Sequence, residues 1–226
     1  MNDGQVESPV PQDSRLWDFL AGLPLMILCA FGILGVGIEI HRQLPDAGSI
    51  VVKALIASEL AGALFLAMQL CLVCIRRLPL AKSPGLAPRL WAFAGANSSY
   101  AILLLPKADI GAAMATLSAL TIGCGALGSA ATLVWLGRGF AIFPQARQLA
   151  TDGPYRLARH PLYVLEQISL FGVCMQYRQP WGFLIVLAGL ALQFPRMRYE
   201  EKIMAQVFPA YADYAARTAM IIPGLL

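Results

Sequence analysis

Residues 50–75 form a run of 26 residues in which only Lys53 and Glu59 are charged. As a helix rising about 1.5 Å per residue, it outreaches the roughly 30 Å hydrocarbon layer of a bilayer. Runs of the same character occupy 17–38, 90–105 and 111–136. Two shorter ones, 161–177 and 181–194, are separated by Arg178, Gln179 and Pro180. The pattern predicts an all-α, polytopic membrane helical bundle of about six membrane helices, the last two a short hairpin. Composition agrees: charged residues make up 13% of the chain, about half the share typical of a soluble domain, and mean hydropathy is +0.64.

The basic residues say which way such a bundle faces. Thirteen of the 17 Lys and Arg fall in the N-terminus, the second and fourth loops and the tail. Arg42, Lys53, Lys107 and Arg178 fall on the alternate side. The positive-inside rule then puts both termini and the large fourth loop in the cytoplasm. Residues 1–15 are a polar tail with neither the basic start nor the cleavage site of a secretory signal, so the first helix is retained. Residues 16–136 read as a four-helix membrane region, and 137–226 as a catalytic, cofactor-binding region. That region ends in the hairpin and an amphipathic tail, because Ile203, Met204, Val207, Phe208, Tyr211 and Tyr214 recur at helical spacing among charges, with Pro209 as a break.

Several familiar patterns carry little. The basic residues form no continuous stripe, so no nucleic-acid partner is expected. Cys29, Cys71, Cys74, Cys124 and Cys174 all lie in apolar stretches and read as core residues, and with only two histidines no metal site is expected. Gly123, Gly125 and Gly128 spell a dinucleotide fingerprint, but in mid-helix, where small residues serve close helix packing. Glu59 is a deep carboxylate that a small permease would use. Asn97, Ser98 and Ser99 would line a polar cavity or bond between helices.

The concentrated signal runs from Thr151 to Tyr163. Gly153 and Pro154 force a turn, and Pro161 suits the first position of a helix, leaving Arg159 and His160 at its mouth. Free backbone donors and cationic side chains there favour anions. Tyr163 and Glu166 or Gln167 follow His160 on one helix face, which points to a pocket for a polar cofactor. A second cluster, Arg196, Arg198, Glu200 and Glu201, places Arg196 and Glu200 four apart on one face.

The run GPYRLARHPLY at 153–163, followed by RMRYEE at 196–201, then Phe208, Tyr211, Tyr214, Ile222 and Pro223, resembles the membrane superfamily of isoprenylcysteine carboxyl methyltransferases and phospholipid N-methyltransferases. The lead-in LGRGFAIFPQARQLATDG is similar to the bacterial branch. The resemblance covers roughly 133–226. It implies an enzyme of the bacterial inner membrane that binds S-adenosylmethionine in a cytoplasmic pocket, releases S-adenosylhomocysteine, and admits a lipophilic or prenylated acceptor from the bilayer. By motif position, His160 and Tyr163 contact the cofactor, Gly153, Pro154, Tyr155 and Arg156 shape its loop, and Glu166 faces the same pocket. Arg159, Glu200 and Glu201 face the reacting group as catalytic residues, and Arg196 fixes the glutamates or the cofactor carboxylate. Leu165 stands where the family often has a small residue, which would narrow the pocket. Gln145 stands for a frequent Glu and Pro209 for a frequent Gly.

Methyl transfer from a sulfonium needs alignment rather than a metal or a covalent nucleophile. A carboxylate acceptor needs a cation such as Arg159 to orient it, whereas an amine needs a base such as Glu200 or Glu201 to take its proton. The first expectation is thus an isoprenylcysteine carboxyl O-methyltransferase type of enzyme. The alternatives are a phospholipid or amine N-methyltransferase of the same fold, and a non-catalytic membrane subunit or permease.

Overall fold

The computed structural model describes residues 14–224, so the first 13 residues of the tail predicted over 1–15 lie outside the described residues, and its last two, Ser14 and Arg15, belong to the first helix. Seven α-helices follow in order: α1 Ser14–Gln43, α2 Ile50–Ile75, α3 Ala87–Asn97, α4 Ala112–Leu136, α5 Pro161–Cys174, α6 Trp181–Val207 and α7 Tyr211–Arg217. Three of the described helices are long and apolar enough to cross a membrane, spanning Arg15–Asp46, Ile50–Ile75 and Ala112–Gly139. Helix α1 turns Ile27, Phe31, Leu34 and Ile38 outward while burying Asp18. That inside-out pattern is stable where the surroundings are hydrocarbon. The chain is an integral membrane helical bundle.

Helix α4 is the central post, packed on α2 on one side and α5 on the other; α1 covers α2, and α3 packs on α6. Small residues set the close approach of α4 and α5. A Cβ on Gly125 would meet the Leu165 carbonyl at 2.7 Å and the Ser169 amide nitrogen, and one on Gly128 would meet the Leu165 side chain at 2.7 Å. The glycines of the apparent fingerprint therefore serve packing, and Leu165 spends its bulk on Gly128 rather than on narrowing a pocket. Across the same contact, Ser118 Oγ donates to the Gly172 carbonyl at 2.8 Å and Ser169 Oγ to that of Ile122 at 3.2 Å. Each bond satisfies a hydroxyl that lipid could not.

Two expected boundaries move. The span expected over 90–105 is α3 followed by a 3₁₀ turn, Ser98–Leu104. There Asn97 and Ser98 turn their side chains back onto the carbonyls of Phe93 and Gly95, at 2.8 and 3.1 Å, competing with the helical ladder. The apolar run 181–194 and the amphipathic segment after it are one helix, α6, with Pro195 inside it. Pro195 removes one ladder bond, yet the helix continues because the partners of Arg196, Glu200 and Glu201 lie on α5 and the preceding loop. The break expected at Pro209 is present, between α6 and α7.

At the basic end, the loops are tied by a buried ionic knot. Asp18 of α1 accepts from Arg76 Nε at 2.8 Å and from Arg147 Nη2 at 2.5 Å. Arg147 also donates to the Gln145 side chain at 2.6 Å and to the Arg77 carbonyl. Alongside, the two-residue strands β1 Ala81–Lys82 and β2 Gln145–Ala146 pair antiparallel. The lead-in to the 153–163 motif is thereby anchored to the ends of α1 and α2. The opposite end is closed by Glu39 and Lys107, 3.7 Å apart, and by Gln43 donating to Glu59 at 2.8 Å.

Both devices can be tested by thermal unfolding in detergent. Asp18→Asn leaves two buried guanidiniums sharing no anion and is expected to lose about 3–5 kcal/mol. Gly125→Val, whose Cβ meets backbone that cannot yield, is expected to prevent folding, whereas Gly123→Ala, with nothing nearer than 3.8 Å, is expected to be neutral.

Candidate functional site

The loop between α4 and α5 turns where the sequence expects it. Gly153, at φ +58°, opens the 3₁₀ turn Gly153–Arg156 and lies so close under the Trp135 ring that no Cβ would fit. His160 then stands at the N-cap of α5 with Pro161 at its first turn. The backbone at this mouth is held by the tail: the amides of Arg159 and His160 donate to the carbonyls of Ala219 and Met220 at 2.8 and 3.1 Å, and Ala158 and Ala219 pair as a parallel bridge.

The residues around 160 and those around 200 meet. Arg159 Nε donates to Glu201 Oε1 at 2.6 Å, and its Nη1 donates to the carbonyls of Ala215, at 2.9 Å, and Thr218. The Tyr163 hydroxyl donates to Glu200 Oε1 at 2.5 Å. Arg196 lies with its guanidinium 4.9 Å above the Tyr163 ring, its Nε 3.4 Å from Glu200, and its Nη2 on the Ile142 carbonyl at 3.0 Å. Adjacent on α6, Glu200 turns toward Tyr163 and Arg196 and Glu201 toward Arg159, with His160 between them, 3.9 Å from Glu200 and 3.5 Å from Glu201.

These side chains wall one cavity of about 410 Å³, within the ~300–1,000 Å³ range of small-molecule sites. Arg159, His160, Tyr163, Glu166, Arg196, Glu200 and Glu201 all line it, as does Tyr155. Gly153 and Pro154 shape the turn behind the wall, and Arg156 is exposed on the outer surface. The cavity continues into the bundle past Gln193, Ser98 and Ser99 to Gln69 and Phe65, so α2 and α3 contribute to it as well. Glu59 is not among its lining residues.

Four buried polar atoms on this wall, Ser129 Oγ, His160 Nε2, Gln167 Oε1 and Arg196 Nε, have no hydrogen-bond partner among the described residues, although His160 Nε2 lies 3.5 Å from Glu201 and Arg196 Nε 3.4 Å from Glu200. Glu166 makes no ion pair or hydrogen bond among them either. Unpaired polar atoms buried in protein cost about 1–3 kcal/mol each, and a cavity with several of them is built for a polar occupant. Burial pushes the Tyr214 phenol up to about 12 and raises Tyr155 and Tyr211 as well. These phenols stay protonated; Tyr214 donates to the Tyr155 carbonyl at 2.7 Å. Proton acceptance is left to the glutamates and His160. Among the described residues no group of three His, Cys, Asp or Glu gathers to hold a metal ion, and the five cysteines are free.

Sequence reasoning missed Gln193 and Gln69, neutral amides in apolar helices, and the knot of Asp18, Arg76 and Arg147. An acidic residue at the edge of the first apolar run and an arginine in the lead-in were the available signals, but nothing in the chain order pairs positions 129 residues apart.

Comparison with known proteins places this geometry. Residues 110–211 match the sequence model of the phospholipid methyltransferase family. The chain is 36% identical over 78 residues to the cobalt-zinc-cadmium resistance protein CzcN of Cupriavidus metallidurans, a stretch covering 34% of this chain and 36% of that protein. It is 32% identical over 114 residues to the nickel-cobalt-cadmium resistance protein NccN of Alcaligenes xylosoxydans xylosoxydans, covering 48% of this chain and 53% of that one. The alignments thus take in about a third and about half of these relatives' lengths.

Glu201 is tied to the tail through Arg159, which also bonds the Ala215 and Thr218 carbonyls. Burial alone would raise its carboxyl, but His160 and Arg159 beside it outweigh burial and hold it below the ordinary value of 4.5. A lowered folded value means stability that is complete above the unfolded one and lost as pH falls through the folded one. Protection of the Arg159 and His160 amides from hydrogen exchange is expected to hold from about pH 7 to about pH 5 and to collapse at lower pH. In Glu201→Gln it is expected to be weak and free of that step.

Proposed function

We propose that this chain, whose residues 110–211 match the phospholipid methyltransferase family, is an integral membrane S-adenosylmethionine-dependent methyltransferase of the isoprenylcysteine carboxyl type, acting on a lipophilic acceptor. The observation that carries the reading is the cavity itself: motif residues 40 positions apart wall one space whose buried polar atoms await a partner.

The donor set fits S-adenosylmethionine, which when bound supplies an electrophilic methyl on a sulfonium. Glu166, which makes no ion pair among the described residues, can face a positively charged group, Gln167 Oε1 can accept a hydrogen bond, and His160 stands beside Glu201 on the same wall. Tyr163 is held by Glu200 and covered by Arg196, so its ring presents a fixed wall. Holding both partners in line is the protein's main contribution to such a displacement.

Arg159 is the residue that orients a carboxylate acceptor. Its Nε and Nη1 are spent on Glu201 and two carbonyls, and Nη2 makes no hydrogen bond among the described residues. A carboxylate is ionised at neutral pH and needs no base. One observation favours an amine acceptor instead: the wall carries three carboxylates, Glu166, Glu200 and Glu201, against two guanidiniums, Arg159 and Arg196. For an amine, Glu200 or Glu201 takes the proton. The apolar reach of the cavity past Phe65 and Leu66 suits a lipophilic body in either case.

Calorimetry with S-adenosylhomocysteine on the solubilised protein is expected to give saturable heat that His160→Ala abolishes; absence of heat in the unaltered protein would support a non-catalytic subunit. Incubation with methyl-labelled cofactor and membrane extract is expected to label a product that mild base releases, as a methyl ester. Label that survives base marks an N-methyl group, and Glu200→Gln and Glu201→Gln are then expected to differ, the one acting as base losing about 100-fold or more in turnover.

A further inference from the structure

At the basic end of the bundle, away from the cavity, a concavity opens between the first turn of α1, the last turn of α2 and the segment after α4. Arg15, Arg77 and Arg138 line it together with Phe19 and Ile75. All three arginines are exposed, and none has an ion-pair partner among the described residues. The one carboxylate in this lining, Asp18, is buried and already bound to Arg76 and Arg147. Beneath the arginines the wall is apolar, and Leu16, Trp17, Val134 and Trp135 stand outward on the same turns of α1 and α4. Exposed tryptophans at helix ends mark the headgroup level of a bilayer. The concavity therefore sits where a lipid's phosphate meets its acyl chains.

We propose that this concavity is a binding site for an anionic phospholipid, with Arg15, Arg77 and Arg138 around the phosphodiester and the acyl chains along the exposed faces of α1 and α4. Charge complementarity selects this occupant: three exposed guanidiniums, without an ion pair among the described residues and with only Arg138 Nε bonded, to the Ile75 carbonyl at 2.9 Å, disfavour a zwitterionic headgroup, whose own cation they would repel, relative to one with net negative charge. A free anion would find the charges but not the apolar half of the site. Arg76, buried behind this layer, is held by Asp18. The proposal does not rest on the methyltransferase reading, because none of these residues lines the cavity.

The test uses the full chain in detergent micelles doped with phosphatidylglycerol or phosphatidylcholine, with inorganic phosphate as a separate arm. Phosphatidylglycerol is expected to raise the unfolding temperature saturably, and phosphatidylcholine and phosphate to leave it unchanged. Arg15→Gln with Arg77→Gln removes two charges whose side chains make no hydrogen bonds among the described residues, and is expected to weaken phosphatidylglycerol binding about thirtyfold. S-adenosylhomocysteine binding is expected to be unchanged in this variant. An equal effect of phosphatidylcholine, an effect reproduced by phosphate, or undiminished phosphatidylglycerol binding in the double variant would overturn the proposal.

Discussion

Charge at the margin of a membrane has to be paired or solvated, and in this protein that requirement is met by joining distant parts of the chain. Arg159 with Glu201, and Tyr163 and Arg196 with Glu200, bind the N-terminal mouth of α5 to the far end of α6. These bonds hold α6 beyond Pro195 against α5 and, together with the Ala219 and Met220 carbonyls, anchor the tail. Because they exist, the cavity has a floor. The same logic recurs at Asp18, which draws Arg76 and Arg147 inward and fixes the loop that leads into the site.

The apolar framework behind these bonds works by proximity rather than by a solvent-driven core. Lipid tails are as apolar as the helix surfaces, so burial of leucine against leucine contributes little to association within the bilayer. What holds α4 to α5 is the close approach allowed by Gly125, Gly128 and Gly172 and the hydroxyl bonds of Ser118 and Ser169 across it. That tight, glycine-lined contact sets the position of α5, and with it the direction in which Tyr163, Glu166 and Gln167 point.

The cavity has two unlike ends. The charged end is built from the segments on either side of α5 and from α6, while the deep end is lined by residues of α2, α3 and the turn after α3. The early helices are therefore part of the wall and not only a roof over it. Arg159, placed by the family resemblance at the reacting group, also carries the tail through the Ala215 and Thr218 carbonyls. One side chain thereby ties the cavity wall at Glu201 to the tail.

Taken alone, the sequence determined the helical class, the first two spans and α4, the turn at Gly153, the mouth at His160, and the helix face shared by Arg196 and Glu200. Each of these depends on residues within a few positions of one another, where periodicity, turn chemistry and helix spacing decide. Only the tertiary structure decided that α6 runs on through Pro195, that 90–105 breaks into a 3₁₀ turn, that Leu165 fills a gap at Gly128, and that Arg156 faces outward while Gln193 and Gln69 face the cavity. Those outcomes turn on which distant group lies opposite each side chain, and paired charges and close-packed glycines record that only once the helices have met.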